Sequence, residues 1–209
     1  MMKKVTLVVA LIFAVHLTAQ TPYEKGMSKA LQLRGQQKNT EAVQLFERIS
    51  KAEKDNWLPT YYAATVLIIE GFSIKDETKL TAHLNRAQDL LDTANAISKS
   101  NPEIIITQAM LNTVYVAYDG QKYGMKYAGE NAQLYAAALK IAPNNPRVIL
   151  RKAQWDIGGA AFFGQPTAPF CKEIKRSIEL FKKEKPNNKF LPYGGLDRAQ
   201  QALKEQCGK

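Results

Sequence analysis

Histidine and cysteine are nearly missing from this chain: there are two of each in 209 residues, and of the histidines only His83 lies beyond the first twenty positions. That scarcity argues against metal chemistry, because zinc sites draw their three or four ligands largely from these two residue types. Cys171 and His83 are too far apart in sequence for a nucleophile pair to be legible without three-dimensional information. No GxGxxG, phosphate-binding loop, HExxH or CxxC pattern occurs. Asp89 and Asp92 sit three apart and could offer paired carboxylates on one helix face. A solvated face is the ordinary explanation of such a pair. The chain is therefore expected not to be an enzyme, and to need neither cofactor nor metal. Only a cleft that joined His83 to a buried carboxylate would revive the enzyme reading.

Long apolar runs are also scarce. One occurs, from Val5 to Leu17, after Lys3 and Lys4 and before Thr18-Ala19-Gln20. A charged start, a short apolar stretch and a small residue at the exit make a secretory leader, with cleavage expected after Ala19. The stretch is shorter than the roughly 20 residues a membrane helix needs, an uncleaved anchor being the alternative. No cysteine follows at the cleavage point to carry a lipid. The mature protein, residues 20–209, is expected to be a single domain, periplasmic or secreted, with no transmembrane span. Export would let Cys171 and Cys207 pair; two free thiols are the other possibility.

Charge is unevenly spread. Residues 20–118 carry 11 Lys and Arg against 11 Asp and Glu, whereas residues 119–209 carry 16 against 8. A basic C-terminal half means a solvated surface or an anionic partner. Nucleic acid is a poor partner for an exported chain, and anionic envelope polymers or acidic proteins fit better.

What the chain does have is a repeat. Ala30, Ala64, Ala109 and Ala153 recur at intervals of 34, 45 and 44, each in an amphipathic run. A second motif accompanies three of them: Ala42-x3-Phe46-x2-Ile49, Ala87-x3-Leu91-x2-Ala94 and Asn131-x3-Tyr135-x2-Ala138. Small residues at these spacings let two helices of a hairpin approach closely, while Phe46, Leu91 and Tyr135 fill the space between hairpins. Asn101-Pro102 and Asn145-Pro146 read as capped helix starts, Asn56-Trp57 takes the same place earlier, and Thr21-Pro22-Tyr23-Glu24 reads as a capping box. Further helices are expected from about Pro169 to Lys185 and from Gly195 to Gln206, the last as a polar cap.

These residues resemble the tetratricopeptide repeat family, best in the stretch Ala138-Leu139-Lys140-Ile141-Ala142-Pro143-Asn144-Asn145-Pro146. The resemblance spans residues 22–186, with the longer intervals assigned to expanded turns around Gly71 to Thr78 and Gly120 to Gly129. It implies an all-α fold: a right-handed superhelix of about four hairpins plus a C-terminal capping helix. In that family the first helix of each hairpin lines a concave groove. The resemblance assigns Leu58, Tyr61, Thr65, Met110, Arg147, Leu150 and Gln154 to such a groove here, a largely apolar surface without a carboxylate clamp. It implies a scaffold for another envelope protein or peptide; the alternative is an anionic polymer or ligand held by the basic half. Whether the groove is open or filled by the molecule's own helices stays undecided.

Two further segments have two readings each. Tyr115, Tyr118, Tyr123 and Tyr127 form either a binding edge or a cover over the core. Gly158-Gly159-Ala160-Ala161-Phe162-Phe163-Gly164 is either a recognition edge or a place of close helix packing.

Overall fold

The structure, a computed structural model, describes residues 20–185 and 187–208. The leader of residues 1–19 lies outside the described residues. Among those described the fold is all α: α1 (Pro22–Gly35), α2 (Asn39–Ala52), α3 (Leu58–Gly71), α4 (Glu77–Ile97), α5 (Pro102–Tyr118), α6 (Gly120–Ile141), α7 (Pro146–Phe162), α8 (Cys171–Lys183) and α9 (Leu196–Cys207). None of these helices is long and apolar enough to cross a membrane.

Local chemistry explains where the helices begin. Thr21 Oγ1 accepts from the Glu24 amide and the Glu24 carboxylate accepts from the Thr21 amide, closing the expected capping box. Asn101 accepts from Glu103 N, and Asn145 from Arg147 N and Val148 N, with a proline opening each helix. Asn56 stands one position before the N-cap, Trp57, and its side-chain oxygen accepts from Leu58 N.

The hairpins α1/α2, α3/α4, α5/α6 and α7/α8 each pack internally, and α3, α5 and α7 also touch in series. The aligned alanines lie where the helices meet: Ala30, Ala64 and Ala109 are 0 % exposed and Ala153 is 2 %. Phe46, Leu91 and Tyr135 are likewise buried. Asn131, standing where the other hairpins have alanine, is fully buried and satisfied, since it donates to the Ala109 carbonyl and accepts from Asn112. The glycines expected to open a turn between Gly120 and Gly129 do not. Asp119 accepts from Gln121 N and Lys122 N, and the helix runs straight through Gly124 and Gly129. Most of the excess over a 34-residue period is therefore taken up by the longer α4 and α6, of 21 and 22 residues.

After α8 the chain does not continue the stack. Residues 187–195 run back to the first two hairpins, where Phe190, 4 % exposed, packs edge-on to Tyr23 at 5.4 Å. Tyr62 Oη donates to the Phe190 carbonyl at 2.7 Å, and Lys189 pairs with Glu24 at 2.7 Å. The Lys189 hydrogen bond, helped by the Thr21 amide, holds the Glu24 carboxyl below the usual carboxylate range. Gly195, at φ 126°, then turns the chain into α9 beneath the Phe181 ring, which a side chain there would strike at 2.9 Å.

Cys171 and Cys207 are joined in a disulfide with Cα atoms 5.9 Å apart. The bridge ties the first residue of α8 to the last of α9. Closing that loop stabilises the fold by roughly 3 to 4 kcal/mol on the chain-entropy account. Such a bond persists in oxidising compartments, which places the protein outside the cytoplasm.

Candidate functional site

One large cleft, about 1260 Å³, opens among the later helices. Its walls come from the second half of α5 (Met110, Thr113, Val116), the start of α6 (Gly120, Met125), α7 with the following segment (Trp155, Phe162, Phe163, Phe170) and α9 (Arg198, Gln201). This exceeds the roughly 300–1,000 Å³ typical of small-ligand sites. The lining is chiefly apolar and aromatic.

Three residues at its mouth are unusually bare for their type: Met125 is 88 % exposed, Phe163 71 % and Phe162 62 %. Each forgoes roughly 1.5–3 kcal/mol of burial by facing water. Exposed apolar side chains at the rim of a cleft make it a candidate binding site. Phe162 and Phe163 stand edge to face at 5.1 Å, and Phe162 rests near the α6 start, within 3.3 Å of where a Gly120 side chain would begin.

The width of the cleft follows from glycine. Gly158 and Gly159 line it from inside α7, and no atom lies within 4 Å of where their side chains would begin. Close helix packing is thus not their role; their missing side chains leave room. Helical glycine costs roughly 1 kcal/mol each against alanine, a cost that goes with an open wall here.

Deeper in, Tyr135 is 3 % exposed and burial pushes its phenol up to about 12. Four charged side chains join it in the lining: Arg151 and Asp156 from α7, and Arg198 and Glu205 from α9. Asp156 is engaged by Lys152 at 2.5 Å, and Glu205 accepts from Gln201 at 2.8 Å. Burial and then the like charges of Arg151 and Arg34 hold the Arg198 guanidinium below its usual range.

No family model matches the chain, and no curated protein sequence matches it. A solved structure does. The chain is similar in fold to the HusA haemophore from Porphyromonas gingivalis. The TM-score is 0.77 at 23 % identity, and the alignment covers 90 % of this chain and 94 % of HusA. At that identity the likeness to HusA is one of fold.

The residues that the resemblance assigned to a groove fall in three places. Met110 and Gln154 line the cleft. Leu58, Tyr61, Thr65 and Leu150 are 3–7 % exposed, inside the packed helices. Tyr61 stacks edge-on with Trp57 and Tyr62, and Thr65 donates to the Tyr61 carbonyl, while the neighbouring Tyr62 carries the returning segment at Phe190. That face of α3 is therefore occupied by the molecule itself. Arg147 is held between Glu103 at 2.9 Å and Glu184 at 2.5 Å, all three largely buried.

The tyrosine cluster covers the core: Tyr115 and Tyr127 are each 8 % exposed and stack at 5.5 Å. His83 lies outside the cleft lining, its Nε2 at 2.8 Å from the Leu67 carbonyl and 3.8 Å from Glu70, which is itself partly exposed. Sequence reasoning missed Met125, Arg151, Trp155 and Arg198 in the lining. Phe162 and Phe163 did carry a signal, as bulky residues flanked by glycines.

Proposed function

We propose that this protein is an exported carrier that holds a large, flat, apolar ligand of the tetrapyrrole class in the cleft between α5, α6, α7 and α9. The observation that carries this reading is the cleft itself, wider than an ordinary metabolite needs and fringed by bare aromatic and thioether side chains. The shared fold with a protein named for carrying haem supports the ligand class. Export, cleavage after Ala19 and a tetratricopeptide-like kinship of the hairpins belong to the same proposal. A scaffold binding an envelope protein through the first helix of each hairpin has weaker support, since Leu58, Tyr61, Thr65 and Leu150 are buried.

Binding here rests on burial and stacking. Among the described residues the lining contains no imidazole and no free thiol, both cysteines being bridged, and its thioethers, Met110 and Met125, are weak donors. A metal-free porphyrin should therefore bind within about tenfold of its iron complex, a difference of about 1.4 kcal/mol. The test is a titration of the mature Trp57→Phe variant, which leaves Trp155 as the one reporter. Saturable quenching by both forms, weakened at least about tenfold by the space-filling Gly159→Leu, is the expected result. Quenching by neither form would dismiss the reading.

A further inference from the structure

Arg151 and Arg198 approach the cleft from α7 and α9, which pack against one another. Arg86, Arg147 and Arg176 are each paired with a carboxylate, whereas Arg34 and Arg48 have no such partner among the described residues. The two cleft arginines are not so matched among the described residues. Of the two acids in the lining, Asp156 pairs with Lys152 and Glu205 accepts a hydrogen bond from Gln201. Arg34 brings a third positive charge to the same side, lying over the Tyr62 ring at 5.7 Å and acting on Arg198. Two guanidiniums of like charge in the lining of one chiefly apolar cleft are a poor arrangement for an empty protein. They suit one that receives an anion there, since a planar guanidinium matches a carboxylate with two parallel hydrogen bonds.

Resting on the proposed carrier function, we infer that Arg151 and Arg198 form a seat for a pair of carboxylates, so that the cleft selects an amphipathic ligand with both acids on one edge. The acidic edge points toward α7 and α9, and the apolar edge lies among Met125, Phe162 and Phe163. The arginines then set specificity and orientation, while the aromatic walls supply most of the affinity.

The experiment compares protoporphyrin with its dimethyl ester on the wild-type mature protein, then on the Arg151→Gln/Arg198→Gln double variant. Esterification removes the two charges and keeps the ring. The diacid should bind wild type at least about tenfold tighter than the diester, and the double variant should bring that ratio near one. Rising salt should weaken diacid binding to wild type and leave the double variant nearly unaffected. Equal, saturable binding of diacid and diester by wild type would overturn the seat while leaving the carrier function standing. Binding of neither would instead remove the carrier function, and the seat with it. The wild-type comparison needs no variant, so a folding defect in the double variant cannot obscure the result.

Discussion

Replacing Arg147 with alanine is expected to destabilise the fold by about 3–5 kcal/mol, the cost of leaving buried charge without its partner. Arg147 is 18 % exposed, Glu103 9 % and Glu184 16 %, so water screens this cluster little. Burial by itself would lower the arginine's hold on its proton, yet Glu103 and Glu184 outweigh that and raise it above the ordinary value. One Glu103 oxygen accepts from Arg147 and from Asn145 at 2.7 Å; the other is buried without a partner. Removing Arg147 would strand two carboxylates. Because Glu184 also accepts from the Gly194 amide, the loss should spread to the segment leading into α9. Urea unfolding followed by far-ultraviolet circular dichroism measures the change. A loss under about 1 kcal/mol would place the cluster with ordinary surface pairs. As a control, Arg147→Met combined with Glu103→Met should recover part of the loss, since apolar replacements remove the unmatched charge.

The second large effect is expected at Phe190. Its ring is fully enclosed although it sits in a segment without regular structure, and its backbone carbonyl takes the Tyr62 hydroxyl. Truncation to alanine should cost about 3–5 kcal/mol through lost burial and the cavity left behind. Burial as the largest influence, together with the nearby Tyr61, pushes the Tyr62 phenol upward, so its hydroxyl remains a donor and the loosened segment keeps one anchor. Hydrogen exchange in the Phe190→Ala variant should quicken across 187–195 and in α1, which the segment grips through Glu24 and Tyr23. Unchanged exchange in α1 would show that the segment is not a brace between the chain's two ends.

These two residues also show where reading the sequence runs out. Alanine spacing and Asn-Pro starts are local: a small residue at a helix crossing or an amide before a proline carries its meaning within a few positions. Hence the helices and most of their caps were legible. The long intervals were not, because an aspartate at position 119 outweighs the glycines that follow it by capping the helix in which they sit. Phe190 gave no signal either, its partner Tyr62 being 128 residues away. The cleft was still harder to foresee. It lies between α5, α6, α7 and α9, and its arginines matter through the carboxylates they do not meet. The family resemblance points to Met110 and Gln154, whereas Arg151, one position past Leu150, lies outside the positions it assigns. The glycine-flanked Phe162 and Phe163 were visible as a possible edge, and their exposure is what distinguishes that reading from packing.

Amide hydrogen exchange on the mature protein, with and without saturating metal-free protoporphyrin, tests the carrier reading most directly. The ligand should slow exchange in the second half of α5, the start of α6, α7 with the segment through Phe170, and α9, while α1 and α2 stay unchanged. Slowing confined to α1 and α2, or none at all under the porphyrin, would contradict the account.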